Sequence, residues 1–394
     1  MENKWSEKEA SQFTARCGAR WGEDLALRTY SSRLLGAEKN LALHGGGNAS
    51  VKSARLNLLG ESVSVLFVKA SGRALGEINP EDHAGLELER LKRLRALTSL
   101  SDEAMLNELR VNLLDSKAAP PSVESLAHAF LPQKYIDHTH PDAILALTNQ
   151  PDGARLVQEA LGGEVLVLDY IKSGFPLARA SADAFDAHPN AKAMVWLRHG
   201  LLTWGETARE SYDATIALVT KAEAFVVKHA AAPPRITGGA TPHETAKERL
   251  SRVAPVLRGL LAAPSGSPDN PYRRLILQPL IHDDVLRFVD SERGRETALS
   301  PPLTPDHLIH TKPFPLWIDS PAYDDAPLLR KQLAEAVSRY GKEYDAYVVR
   351  HERRMSEGMR RPDSLPRVIL LPGMGALCAG ANAEEAAVVS DITA

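Results

Sequence analysis

Two imidazoles stand one residue apart in the stretch IDHTHP, at His138 and His140. In extended chain, side chains at i and i+2 project from the same face. This spacing therefore presents two ring nitrogens to one point. Two nitrogens do not complete a catalytic metal site, which commonly has three protein ligands and an exchangeable position. His199 is the best third donor. It too follows an apolar, strand-like run and immediately precedes Gly200, where a loop leaves room for a substrate. The competing assignment makes all three ordinary hydrogen-bonding residues near strand ends. His44, His83, His128 and His188 compete as ligands, so residue types by themselves do not select a triad.

Glu124 is the leading carboxylate. It stands at a helix start signalled by PPSVE, residues 120–124, where a negative charge is favoured. Beside a metal-bound carbonyl it can take or return a proton, and a modestly raised pKa would suit that work near neutrality. His128 follows four residues later on the same helical face, either to orient Glu124 or as a buried polar group. A second set of residues suits an anion. The run GGGN, residues 45–48, can bring backbone amides close to a phosphate, and Asn48 adds a side-chain donor. Ser71, Gly72 and Ser122 supply further hydroxyls and a flexible turn. Each of these elements alone also serves as a plain connection, and the glycines form neither a dinucleotide fingerprint nor a nucleotide P-loop.

The elements that must hold these groups follow from the pattern of apolar residues. Residues 7–35 read as helix and 44–50 as a loop. Residues 62–72 read as a strand entering a turn, and 82–97 as a surface helix carrying Leu86, Leu88, Leu91, Leu94 and Leu97. Ser101 starts another helix. Residues 134–139, 165–168 and 191–197 read as short strands, and Thr207 with Glu210 forms a capping box before a helix reaching about His229. Residues 231–239 read as a connection, 324–354 as containing a long helix, 367–375 as a strand and sharp turn, and 383–391 as a closing helix. Alternating short strands and helices indicate an α/β layered fold.

The 394 residues allow one large domain or two smaller ones. Forty-seven basic and 50 acidic side chains leave a net charge of -3, which gives no electrostatic footing for nucleic acid or an anionic membrane. The only cysteines, Cys17 and Cys378, form no metal cluster and suit a reducing compartment. No apolar run is long enough for a membrane span, and MENKWSEKE has no signal-peptide core, so a cytoplasmic location is expected.

The ordered set Gly46-Gly47-Asn48, Ser71-Gly72, Pro121-Ser122-Val123-Glu124, His138-Thr139-His140-Pro141 and His199-Gly200 resembles the class II aldolase/adducin family. Within it, the chain is most similar to the aldolase part of bifunctional rhamnulose-1-phosphate aldolase/short-chain dehydrogenase proteins. TPDHLI at 304–309, TKP at 311–313 and LPGMG at 371–375 resemble the extended region of that group. The resemblance implies a central, mainly antiparallel sheet flanked by helices. It implies a catalytic core over 1–235 and an extended region over 236–394 packed on it. It implies Zn2+, or another divalent transition metal, on His138, His140 and His199, and catalytic proton transfer by Glu124. Phosphate would be held by Gly47, Asn48, Ser71, Gly72 and Ser122. Val123 stands where the family often has a second hydroxyl, which removes one expected phosphate donor. Tyr170 matches a family tyrosine that enters a neighbouring subunit's site, implying a homo-oligomer.

The activity implied is retro-aldol cleavage of a ketose 1-phosphate, rhamnulose 1-phosphate, to dihydroxyacetone phosphate and lactaldehyde. Alternatives on the same fold are a sugar-phosphate 4-epimerase, an aldolase for another substrate, and a noncatalytic adducin-like binding protein. The bifunctional relatives carry a dehydrogenase after the aldolase. This sequence contains no NAD-binding fingerprint, so the reading is either an aldolase on its own or a part whose dehydrogenase domain lies beyond Ala394, and no intrinsic NAD site is expected in these residues.

Overall fold

The computed structural model describes residues 1–230, 240–355 and 361–394. The connection expected at 231–239 lies outside the described residues. The chain divides into two compact units: Met1–Ala231 together with Leu303–Asp306, and Ala232–Pro302 together with His307–Ala394.

Seven strands organise the first unit: β1 (Asn48–Leu56), β2 (Ser62–Lys69), β3 (His83–Glu87), β4 (Tyr135–Thr139), β5 (Val165–Leu168), β6 (Ala193–Trp196) and β7 (Gly200–Gly205). They form one sheet in the order β3-β2-β1-β4-β7-β6-β5. Every neighbouring pair is antiparallel except β5 and β6. This is the mainly antiparallel, helix-flanked sheet expected from the resemblance. Side chains alternate between its faces. Leu66, Val68, Ile136, Met194, Trp196 and Leu202 join one buried cluster, with Leu126 and Phe175 from flanking helices. Val195 and Leu201 face another, with Leu145, Tyr212 and Ile216. Each such buried aliphatic or aromatic side chain contributes roughly 1.5–3 kcal/mol to folding. The site is thereby held on a stiff, two-sided platform.

Local chemistry explains the helices. Thr207 Oγ1 accepts from Glu210 N at 3.1 Å while Glu210 Oε2 accepts from Thr207 N at 3.3 Å, completing the expected capping box of Ala208–His229. Ser101 caps Asp102–Val111.

Three local readings need correction. The run 7–35 is two helices, Glu7–Trp21 and Glu23–Gly36, separated at Gly22, whose φ of +85° ends the first. Residues 48–50 begin β1 rather than finish a loop. The expected helix at 82–97 is instead β3 followed by the short helix Leu88–Arg93. Buried Ala84, Leu86 and Leu88 carry a period of two beneath the apparent helical leucine spacing. The unpaired edge of β2 also offers ladder hydrogen bonds, from Val65↔Glu87 to Lys69↔His83.

The second unit has a four-stranded sheet ordered Ile276–Leu280, Gly375–Gly380, Val368–Leu371, Leu316–Trp317. Helices His243–Leu260 and Ala326–His351 cover one face through Val253, Leu257, Leu333, Tyr340, Ile369 and Leu377. Val285, Val289, Val368, Leu370 and Val389 fill the other. The long helix expected within 324–354, the strand and turn at 367–375 and the closing helix, here Ala383–Thr393, are all present. Among the described residues, no helix is long and apolar enough to cross a membrane. Cys17 and Cys378 are both free thiols.

Candidate metal centre and anion cradle

His138 belongs to β4 and lies between Asn48 of β1 and Leu202 of β7 in the ladders. His140 stands just past the end of β4, where its N–H donates to Leu41 O at 2.8 Å. His199 comes from the hairpin turn between β6 and β7, whose flanking pair is Trp196↔Gly200. Arg198 in that turn adopts a φ of +59°, a costly conformation for a residue with a Cβ. Gly200 is required by close approach: a Cβ there would lie 2.4 Å from Thr139 O and 2.8 Å from His138 Cε1. The turn and the glycine together bring β7 against β4 and set His199 beside the other two rings.

The three imidazoles are buried, and their candidate donor atoms lie within 4.8 Å of one another. Their protonation follows from their partners. His138 Nδ1 lies 3.2 Å from Leu201 O, which can only accept, so the ring proton sits on Nδ1 and the lone pair on Nε2. His140 Nδ1 donates to Asp306 Oδ1 at 2.8 Å, which again leaves Nε2 as the inward nitrogen. The two Nε2 atoms stand 3.1 Å apart. Burial, with further repulsion from His140 and His199, holds His138 well below the usual imidazole range despite the pull of Glu124. It is therefore a neutral donor. Inward lone pairs on the oriented His138 and His140 rings, with the His199 ring beside them, fit a divalent transition metal.

Glu124 faces the same space. It is buried at the start of helix Ser125–Phe130, with Oε1 3.1 Å from His199 Nε2 and Oε2 3.5 Å from His138 Nε2. Ser173 Oγ donates to Oε1 at 3.0 Å, and Asn48 Nδ2 donates to Oε2 at 2.6 Å. Burial raises the proton affinity of this carboxyl. The positive charge that His138, His199 and His140 carry when protonated, together with the hydrogen bond from His199, outweighs that effect and holds it well below the usual carboxylate range. The modestly raised pKa that would suit proton transfer near neutrality is not what this environment produces. His128 is buried behind Asn48, with Nε2 2.5 Å from Asn48 Oδ1 and Nδ1 2.7 Å from Ser50 Oγ. Its ring is linked to the Glu124 carboxylate through Asn48, and burial pushes its pKa down to about 3.

The segments expected to hold an anion meet at Lys69, at the end of β2. Its buried ammonium donates to Gly45 O at 2.8 Å and to Arg73 O at 2.6 Å, while its own carbonyl accepts from Ser122 N at 3.3 Å. One residue thereby ties the glycine loop, the Ser71-Gly72 turn and the segment leading to Glu124. Ser71 N donates to Pro120 O at 2.8 Å, and Asn48 Nδ2 also reaches Ser122 Oγ at 3.2 Å. Burial pushes the Lys69 ammonium down to about 8, against the opposing charges of Asp306 and Glu124.

Tyr170 is not gathered with these groups. It is exposed and lines a separate recess with Asp152, Arg155, Asp169 and Arg198. The competing histidines are elsewhere or otherwise engaged. His83 is buried with Nδ1 3.2 Å from Asn79 O, and His188 is exposed at the end of helix Phe175–Ala187. Sequence reasoning missed Lys69, Ser173 and the role of Asp306. A lysine closing the apolar run VSVLFVK was a usable signal for the first; Ser173 carried none.

The profile of the Class II Aldolase and Adducin N-terminal domain matches residues 28–226. The chain belongs to the class II aldolase and adducin family. A second profile, Aldolase class II, second domain, matches residues 248–394. The Bacillus subtilis protein described as an uncharacterized oxidoreductase, YuxG, is 33% identical over 356 residues, covering 89% of this chain and 50% of that protein. The chain thus spans about half the length of this relative. The N-terminal class II aldolase domain of a conserved Thermoplasma acidophilum protein is 36% identical, with a TM-score of 0.51, covering 57% of this chain and 99% of that one. L-fuculose-1-phosphate aldolase from Thermus thermophilus is 20% identical with a TM-score of 0.34, over 53% and 98% of the two chains. In this class II aldolase family member, the imidazole triad, Glu124 and the loops tied by Lys69 all lie within the stretch matched by the first profile. Asp306 lies within the second.

Proposed function

We propose that this chain is a zinc-dependent aldolase that cleaves a ketose 1-phosphate, with rhamnulose 1-phosphate as substrate and dihydroxyacetone phosphate and lactaldehyde as products. The observation that carries the reading is the buried convergence of His138, His140 and His199 on the ionised Glu124, beside loops able to hold a phosphate. A divalent ion on the three imidazoles supplies Lewis-acid stabilisation of negative charge developing on a substrate oxygen. Three imidazoles favour zinc, with manganese or cobalt as replacements.

The remaining work falls to side chains and backbone of this protein. Cleavage breaks the C3–C4 bond: the C4 hydroxyl loses its proton and becomes the aldehyde, and the bonding pair passes to C3, which takes up a proton. Glu124 handles the proton at C3. Ser173 and Asn48 hold one carboxylate oxygen each, so the group is aimed before substrate arrives. Its low proton affinity makes it an available base in the condensing direction, and the same atoms return the proton in cleavage. Gly47, Asn48, Ser71, Gly72 and Ser122 hold the phosphate, with the Lys69 charge beneath them. The proton at the C4 oxygen is assigned to Tyr170. Its exposure suits a side chain that completes the site of a second copy in a homo-oligomer.

The choice of rhamnulose rests on the likeness of residues 304–313 and 371–375 to the bifunctional group. The oxidoreductase name and greater length of YuxG support a dehydrogenase partner that consumes the aldehyde. The test is to incubate the zinc-loaded chain with rhamnulose 1-phosphate and fuculose 1-phosphate and quantify both carbonyl products. Equimolar release of dihydroxyacetone phosphate and lactaldehyde, faster from rhamnulose 1-phosphate, is expected. Appearance of a C4 epimer without free aldehyde would make the protein an epimerase, and inertness toward every ketose phosphate would remove the enzyme reading.

A further inference from the structure

Asp306 lies 166 positions after His140, in the segment Leu303–Asp306 that belongs to the first unit although the chain on both sides of it belongs to the second. It is a buried carboxylate, 2% exposed. Its Oδ1 accepts from His140 Nδ1 at 2.8 Å, and its Oδ2 accepts from Leu43 N at 3.0 Å. The glycine loop closes over it: a Cβ on Gly46 would fall 2.1 Å from Oδ1. A helix-start carboxylate of the plain kind would be solvated at the surface. This one is enclosed and aimed at a ring nitrogen.

We propose that Asp306 is the positioning residue of the metal centre, holding His140 in the tautomer and orientation that present Nε2 to the ion. The inference rests on the metal reading above and adds to it a residue that the stretch 28–226 does not contain. An ionised carboxylate can only accept, so it keeps the His140 proton on Nδ1. It also adds negative charge behind the ring and strengthens the inward lone pair. His138 has a neutral carbonyl, Leu201 O, in the same place. His140 alone of that pair therefore gains a charged partner. The anchor from Leu43 N fixes the carboxylate plane, and Gly46 leaves space for it, so the orientation is set before any ion binds. Asp306 also faces the Lys69 ammonium, so its charge bears on both halves of the site.

The experiment measures Zn2+ affinity of the full chain by competition with a chromogenic chelator, for the wild type, Asp306→Asn and Asp306→Ala. The visible spectrum of each Co2+-loaded form is recorded alongside. The expected weakening is about tenfold for Asp306→Asn, which keeps the shape and an acceptor oxygen. For Asp306→Ala it approaches roughly 100-fold, within the range for partners behind metal ligands. The Co2+ bands should shift in both. A role confined to loop stability would lower the melting temperature but leave the spectrum of the folded Asp306→Asn protein unchanged. Zinc affinity within about twofold of wild type and unaltered Co2+ bands in folded Asp306→Asn would overturn the proposal while leaving the metal reading intact. A wild-type chain that holds no ion would remove both.

Discussion

Three short-range devices build the imidazole cluster: a strand end, its i+2 neighbour and a tight hairpin turn. The neighbouring region proposed to hold the phosphate is built differently. Three separate segments converge on one buried lysine, and what they offer is mostly loop backbone and small hydroxyls. In the first region, rigid rings on paired strands carry the chemistry, and each ring's outer nitrogen or its backbone is tied down. In the second, position depends on a charge that burial makes costly and that carbonyl contacts and the charges of Asp306 and Glu124 offset. The two are joined at Asn48, which pairs with His138 in the sheet and donates to both Ser122 and Glu124. The contrast teaches that metal affinity and anion affinity should be separable by mutation, even though one asparagine links their frames.

The sharpest break is His199→Ala. Losing one of three ligands should abolish stable metal binding and lower cleavage by roughly a thousandfold or more, the scale of several kcal/mol of charge stabilisation. Binding of inorganic phosphate, measured on the folded variant through ligand-induced thermal shift, should persist. Glu124→Gln comes next. Metal content should stay at wild-type level while kcat falls by about 10²–10⁴-fold. Loss of metal in this variant would make Glu124 a ligand first and an acid-base group second.

Lys69→Met attacks the other region. KM for the phosphorylated substrate should rise about tenfold, with kcat and zinc content nearly unchanged, because only the charge and loop ties beneath the anion are removed. The pH dependence gives an independent reading. The folded Lys69 ammonium titrates at about 8 against an ordinary 10.5, so it is lost as pH rises through 8, and KM should climb there in the wild type only. Stability responds with the opposite sign. Between about 8 and 10.5 the unfolded chain binds more protons at this lysine than the folded one. The contribution of Lys69 therefore favours the folded state increasingly as pH rises across that window. The smallest expected effect is Ser173→Ala, which removes one hydrogen bond to Glu124. A kcat decrease of about threefold to tenfold, with KM and metal affinity unchanged, is the outcome that assigns Ser173 to aiming the carboxylate.

Local pattern made much of the molecule legible. The capping residues at Ser101 and Thr207, the strands carrying His138 and leading to His199, and the helix behind Glu124 all depend on neighbours within a few residues. Backbone hydrogen bonding and side-chain alternation act over that range. The edge strand β3 was misread because its leucines fit both periods, and only the vacant edge of β2 selects the extended form.

The chain's own order of residues thus determined which groups are available: three imidazoles, one carboxylate and a set of glycines and hydroxyls, each on an element of recognisable type. Tertiary structure alone decided that Lys69 ties three loops, that Ser173 and Asn48 hold opposite oxygens of Glu124, and that Asp306 reaches His140 across 166 positions. Those contacts join segments far apart along the chain. Their geometry is set by packing of the whole sheet and its helices, which no local period or propensity encodes.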